Sequence, residues 1–287
     1  ALLQQTYQIT ALFGPEHGLD GVAQDMEAVS SAVDETKQLP IYSLYGNNID
    51  SLKPSAAMLD KIDTLIIDLQ DVGSRYYTYV WTVVLACQAC AEFGKNVIIC
   101  DRPNPLGGSA VEGANINRGF ESFVGLHSIP NRHGMTFAEI VQSVCKKEKL
   151  NRTLHICKMQ GWSREQSFPE TGLGWINPSP NMRSYQAALL YPGMCLLEAT
   201  NVSEGRGTAT PFELCGAPFV RSEELIEHML GLELPGFSMK STTFEPTFQK
   251  WQHESCHGIN WQIENSKTLQ PYLLGLGLLW NLHRIYA

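Results

Sequence analysis

The chain has 287 residues, 44% of them hydrophobic, which suffices for a large buried core in one large domain or two smaller ones. Its 21 Lys and Arg face 29 Asp and Glu, a formal charge of -8 without any Lys/Arg-rich run, which argues against nucleic acid as a partner. No uninterrupted apolar stretch approaches the roughly 20 residues that a membrane-spanning helix needs.

In chain order, Ala1 to Gln5 reads as the tail of a helix running straight into a strand, so any targeting segment is expected upstream of Ala1. Strands are predicted at 8–13, 40–45, 63–69, 96–100 and 153–158, and helices at 54–61, 76–93 and 136–148, the last opened by a capping box of Thr136 and Glu139. Runs as apolar as 64–67 and 97–100 are those of strands buried on both faces, the mark of a parallel sheet covered by helices. From Gly161 to Gly207 the chain is rich in Gly, Pro, Asn and Ser, and long functional loops are expected there. Beyond about Thr208 the pattern changes to a helix at 222–232, Thr- and Phe-rich extended segments and an apolar helix from Leu269 to about Ile285. The expected fold class is α/β, a mostly parallel sheet with helices on both faces over 1–208, followed by a smaller α+β domain over 209–287.

The eight cysteines are scattered through apolar surroundings. Cys87 and Cys90 form a C-x-x-C inside the apolar run Val80 to Ala91, where they read as one buried helix face rather than a redox or metal pair.

Three predicted strands each deliver a polar motif at the carboxyl end: Gly14-Pro15-Glu16-His17-Gly18, then Gln70-Asp71-Val72-Gly73-Ser74-Arg75-Tyr76-Tyr77-Thr78-Tyr79, then Asp101-Arg102-Pro103-Asn104-Pro105. Ligands of open α/β sheets bind beyond the strand carboxyl ends, so the three motifs point to one cleft. Ordinary βα turns are short and simple, and these are neither. Gly-Pro ends the first strand, and the flanking glycines free the backbone to aim Glu16 from a turn. Two further polar segments lie in the loop-rich region, Trp175 to Met182 and Thr200 to Thr208. The second sets Glu204 and Arg206 one Gly apart, either as a frame for an anion or sugar hydroxyl or as an internally paired turn. There is no G-x-G-x-x-G after a strand, no P-loop and no G-x-S-x-G elbow. His253-Glu254-Ser255-Cys256-His257 matches the zinc motif H-E-x-x-H, but Pro246 upstream and Gly258 immediately after make a helix there unexpected, and the match reads as chance.

Taken together, Phe13 to Gly18, Tyr42 to Gly46, Asp68 to Tyr79, Asp101 to Pro105, Val111-Glu112-Gly113, Arg132 to Thr136, Pro178 to Met182, Asn201 to Thr208 and Pro211-Phe212-Glu213 closely resemble, in order, the motifs of the NamZ-type exo-β-N-acetylmuramidases, a glycoside hydrolase family. The resemblance implies a Rossmann-like N-terminal domain and a smaller C-terminal one with the cleft between them. It also implies release of N-acetylmuramic acid from the non-reducing end of peptidoglycan fragments, and a secreted or periplasmic location. The family pattern usually begins one strand earlier and continues further than this chain. Ala199 stands where the family usually has Gly, and Phe137-Ala138 where it usually has Ile-Gly.

Glycosidic cleavage needs one carboxylic acid to protonate the leaving oxygen and a second group to attack or stabilise the oxocarbenium-like centre. Glu16 is the candidate acid, its pKa expected to be raised by desolvation beside Phe13, with His17 orienting it or binding substrate. The candidate partners are Glu204, then Asp71, then Asp101. Arg75, Arg102, Arg132 and Arg206 are the candidate cations for the lactyl carboxylate of muramic acid. Tyr76, Tyr79 and Trp175 are candidate sugar platforms, whereas Tyr77 and Trp81 read as packing. Asn104, His133, Ser179, Asn181 and Asn201 complete the expected substrate contacts. No metal or organic cofactor is expected. The main competing reading is a non-catalytic glycan-binding protein with the same cleft.

Overall fold

A computed structural model describes residues 7–24, 27–34, 38–46, 49–150 and 154–286. Three short strands come first, β1 (Leu12–Gly14), β2 (Ala32–Asp34) and β3 (Leu39–Ser43), in the order β1-β3-β2. β1 runs parallel to β3 with Phe13 opposite Tyr42, and β2 runs antiparallel to β3. The chain then alternates: α1 (Ala56–Leu59), β4 (Thr64–Ile67), α2 (Tyr79–Glu92), β5 (Asn96–Cys100), α3 (Phe137–Lys147) and β6 (Leu154–Cys157). β4, β5 and β6 form a fully parallel sheet in which Ile67 pairs with Ile99 and Ile99 with Ile156. Leu65, Ile67, Val97 and Ile99 are buried in this sheet, and α2 is buried almost throughout, as runs apolar on every side must be.

β5 has the predicted bounds, and the expected capping box of α3 is present: Thr136 Oγ1 accepts from the Glu139 amide at 3.3 Å and Glu139 Oε2 from the Thr136 amide at 2.9 Å. The first strand is shorter than predicted, and the expected helix tail at 1–5 lies outside the described residues. The segment 161–207, expected as loops, contains α4 (Tyr185–Met194), followed by a 3-10 turn over Cys195–Ala199. Residues 187–194 of α4 are all buried. A helix wrapped on every side has no polar face, so the periodicity that reveals an amphipathic helix is absent from its sequence.

The remainder is β7 (Leu214–Ala217), α5 (Ser222–Leu230), β8 (Phe237–Phe244), β9 (Cys256–Ile263) and α6 (Pro271–Tyr286), with an antiparallel sheet ordered β7-β9-β8. α4 and α6 meet at Gly193 and Gly275, where their backbones approach so closely that neither position has room for a Cβ. Glycine is needed at both because of this approach rather than for any turn.

Cys87 and Cys90 are buried in α2 as expected; the Cys87 thiol is pushed up by its hydrogen bond to Cys145 and by burial, and burial raises Cys90 to about 11. The H-E-x-x-H match lies across a turn and the start of β9, not on a helix, and among the described residues no group of three or more His, Cys, Asp or Glu side chains could hold a metal.

Candidate active site

β1 runs into a tight turn in which the Gly18 amide donates to Pro15 O and both His17 and Gly18 take positive φ, 72° and 78°. An imidazole held in the left-handed region marks a backbone set by its surroundings. The turn buries Glu16 and His17 to 6% exposure each. Thr78 Oγ1 donates to Glu16 Oε2 at 2.5 Å, across 62 residues of chain. Thr78 is also the N-cap residue of α2, yet its side chain makes no capping bond. A Thr in that position ordinarily spends its hydroxyl on the helix amides, and here it goes to a carboxylate instead.

His17 Nδ1 lies 2.8 Å from Ala23 O, which places the proton on Nδ1 and leaves Nε2 as an acceptor in the neutral ring. Its ring packs 6.2 Å from that of Tyr79, whose hydroxyl donates to Pro178 O. Tyr77 packs against Tyr79, and its hydroxyl lies beside Ser179. Burial pushes both phenols far above their ordinary range, so they are neutral. Asn181 Nδ2 donates to Gln24 Oε1 at 3.0 Å and joins the 178–182 loop to the Glu16 turn, while its Oδ1 is buried without a hydrogen bond.

The loop after β4 places Asp71 under a glycine turn. Asp71 Oδ2 accepts from the Gly73 amide at 2.8 Å and lies 3.2 Å from His133 Nε2, whereas Oδ1 is buried with no hydrogen-bond partner. Ser74 Oγ is in the same state. The Met135 amide donates to His133 Nδ1, which places the proton on Nε2, an atom buried 3.2 Å from Asp71 Oδ2 yet without a hydrogen-bond partner. Gly73 has φ 82°, and a Cβ there would stand 2.6 Å from Asn104 Oδ1. Asn104 in turn accepts from the Leu106 amide and donates to Met135 O. The loops at 71–75, 101–106 and 131–135 are thereby locked together, bringing Asp71, Asn104 and His133 into one cluster.

Other expected site residues have partners that define different work. Asp101 accepts from Thr136 Oγ1 at 2.9 Å and from the Ala138 amide at 3.0 Å, so it caps α3; desolvation pushes its carboxyl above the ordinary range against these bonds. Arg102 pairs with exposed Asp68 at 2.6 Å. Arg132 pairs with Glu112 at 2.7 Å and donates to Leu106 O. Arg75 donates through Nη1 to Ala114 O and Ile129 O, and Tyr76 through its hydroxyl to Pro192 O. Trp175 donates to Met182 O and packs edge-on against Phe168.

Glu204 and Arg206 form a separate cluster. Glu204 is buried with Oε2 2.9 Å from Lys250 Nζ and Oε1 3.2 Å from Arg206 Nε, and Arg206 also pairs with Glu198 at 2.8 Å. Of the two sequence alternatives, the internally paired turn is the one formed. The Arg206 guanidinium stacks over Phe212 at 5.1 Å, and exposed Asn201 accepts from Trp251 through its carbonyl. Tyr191 packs against both Phe212 and Tyr77, so a run of rings lies between Arg206 and the tyrosines beside the Glu16 turn.

Residues 1–186 match the family described as exo-β-N-acetylmuramidase NamZ, N-terminal, and residues 189–287 match its C-terminal counterpart. The chain belongs to the NamZ exo-β-N-acetylmuramidase family. It is 42% identical over 279 residues to the peptidoglycan β-N-acetylmuramidase NamZ of Bacillus subtilis (strain 168), covering 97% of this chain and 67% of that protein. Two crystal structures of DUF1343 family proteins from Bacteroides fragilis share the fold. One has a TM-score of 0.87 at 33% identity, covering 97% of this chain and 71% of the other; the second has 0.67 at 30% identity, covering 95% and 68%. As a NamZ family member the chain is a glycosidase.

For this NamZ chain, sequence reasoning passed over Thr78, Ser74 and Lys250. Thr78 carried one readable signal, its place at a predicted helix start beside three tyrosines. Lys250 carried none, because it stands 46 residues from the carboxylate it neutralises. The described cavity nearest these loops, about 310 Å³, does not open on Glu16 itself; Arg75, Tyr76, Ile116, Asn117, Phe120 and Val124 are among its lining residues.

Proposed function

We propose that this glycosidase removes N-acetylmuramic acid from the non-reducing ends of peptidoglycan fragments, with Glu16 as the general acid. The observation that carries this reading is the burial of Glu16 on a rigid turn with Thr78 bonded to a single carboxyl oxygen. In this reading Thr78, by donating to Oε2, fixes the orientation of the carboxyl group that delivers a proton to the glycosidic oxygen. His17, fixed through Nδ1, orients the turn and offers Nε2 to a substrate hydroxyl.

For the second group, partner chemistry favours Asp71 over the other candidates. Glu204 has both oxygens neutralised by cations, and Asp101 spends both on the start of α3. Asp71 retains a buried oxygen with no partner, beside Ser74 Oγ in the same state. Buried polar atoms are almost always satisfied, so these two orphans, with His133 Nε2 in the same state beside Asp71, are best filled by substrate or by the attacking water. The location that suits this substrate is outside the cytoplasmic membrane, secreted or periplasmic.

The test is hydrolysis of a chromogenic β-N-acetylmuramide. Wild type is expected to release the chromophore and Glu16→Gln to lose at least about 10²-fold in kcat, the usual worth of a positioned acid or base. Equal rates for the two proteins would remove Glu16 from the mechanism, and tight binding of saccharide with no release by wild type would leave only a binding protein.

A further inference from the structure

Phe120 is 76% exposed, although the loop that carries it is anything but loose. Arg75 Nη1 holds both ends, at Ala114 O and Ile129 O; Ser128 Oγ donates to Ile116 O; Ser122 and Gly125 exchange backbone hydrogen bonds; and the Phe120 amide donates to Asn117 O. Phe123, three residues on, packs its ring 5.5 Å from Tyr45. A segment tied at this many points that still turns its largest apolar side chain to water presents that ring as a surface.

The surface borders the cavity of about 310 Å³, at the small end of the range for ligand sites. Phe120, Ile116 and Val124 share its lining with Asn117, Ser122 and Arg75. An aromatic side chain beside two neutral polar residues and one guanidinium suits a pyranose ring, which has apolar C–H faces and a polar rim. Tyr76 also lines the cavity, and Thr78, two residues further, bonds Glu16; two residues of chain span at most about 7 Å. Phe120, on its lining, is 76% exposed, whereas Glu16 is 6% exposed.

We propose that this cavity is the subsite for the amino sugar on the leaving-group side of the scissile bond, with the Phe120 ring as its stacking platform. The inference rests on the reading of Glu16 as the acid, because the acid must stand at the junction between the two sugars. To the candidates Arg75 and Tyr76 it adds substrate contacts from residues 116–125, a segment in which the sequence marks none.

The test compares two substrates of the same glycone, the β-1,4 disaccharide of N-acetylmuramic acid and N-acetylglucosamine and the methyl β-glycoside of N-acetylmuramic acid. Phe120→Ala is expected to raise KM for the disaccharide about fivefold or more with little change for the methyl glycoside, consistent with aromatic contacts of about 1 kcal/mol. Phe120→Tyr is expected to restore the disaccharide value. Equal losses on both substrates would put Phe120 against the glycone, and no loss on either would leave the ring without a substrate; each overturns the subsite. If wild type hydrolyses neither substrate, the glycosidase reading itself has failed, which is a different result from failure of the subsite.

Discussion

The hydroxyl of Thr78 stands 2.5 Å from Glu16 Oε2 and leaves α2 without a side-chain cap. One hydroxyl cannot serve both purposes. Local helix stability has been exchanged for control of a carboxyl group, the kind of local inconsistency that marks a functional site.

Thr78→Val keeps the shape of the side chain and removes the donor. A hydrogen bond between uncharged groups is worth about 0.5–1.5 kcal/mol, so kcat is expected to fall roughly two- to tenfold with KM nearly unchanged. Thr78→Ser is expected to restore most of the rate. A Thr78→Val enzyme with wild-type kcat in steady-state assays would show that the bond is structural only.

Glu204 is expected to matter first for stability. Replacing it by Gln leaves Lys250 and Arg206 without the buried carboxylate between them, and breaking a buried pair from one side costs roughly 3–5 kcal/mol. Lys250 is about a quarter exposed, so the loss should fall at the lower end. Denaturant unfolding of Glu204→Gln gives the value. Wild-type stability combined with lost turnover would instead return Glu204 to the catalytic set.

The α4–α6 crossing predicts a strong response to one methyl group. Gly275→Ala has no space against Gly193, and overpacking typically costs about 1–3 kcal/mol. Thermal unfolding should show a clear drop in Tm, whereas Gly94→Ala provides a control in open space, limited to the strain of its positive φ.

Glu170 supplies a pH dependence. Hydrogen bonds from the Ser167 amide and hydroxyl, helped by Lys267, hold its carboxyl at about 2 rather than the ordinary 4.5. The folded state therefore binds this proton more weakly than the unfolded state. Its stabilising contribution is present above about 4.5 and is lost as pH falls toward 2. The gap in Tm between wild type and Glu170→Gln should narrow over that window. A gap that does not change with pH would contradict the depressed value.

Much of this was legible in the residues. β5 and the capping box of α3 follow from short-range pattern, since β-branched runs and the Thr136–Glu139 spacing act within a few residues. The Glu16, Asp71 and Asp101 motifs were placed at strand ends for the same reason. α4 was not legible, because burial on all sides removes the polar face that a periodic pattern needs.

The sequence by itself determined the strand-and-turn framework, the family motifs and the presentation of Glu16 on a Gly-Pro turn, because those depend on neighbouring residues and on backbone conformations only Gly and Pro favour. Only the tertiary structure decided which carboxylates are occupied. Thr78 reaches Glu16 across 62 residues, Lys250 reaches Glu204 across 46, and Asp71 alone of the proposed partners keeps a buried oxygen with no bond. Ion pairs and hydrogen bonds form between groups close in space, whatever their separation along the chain, so their assignment waits on the fold.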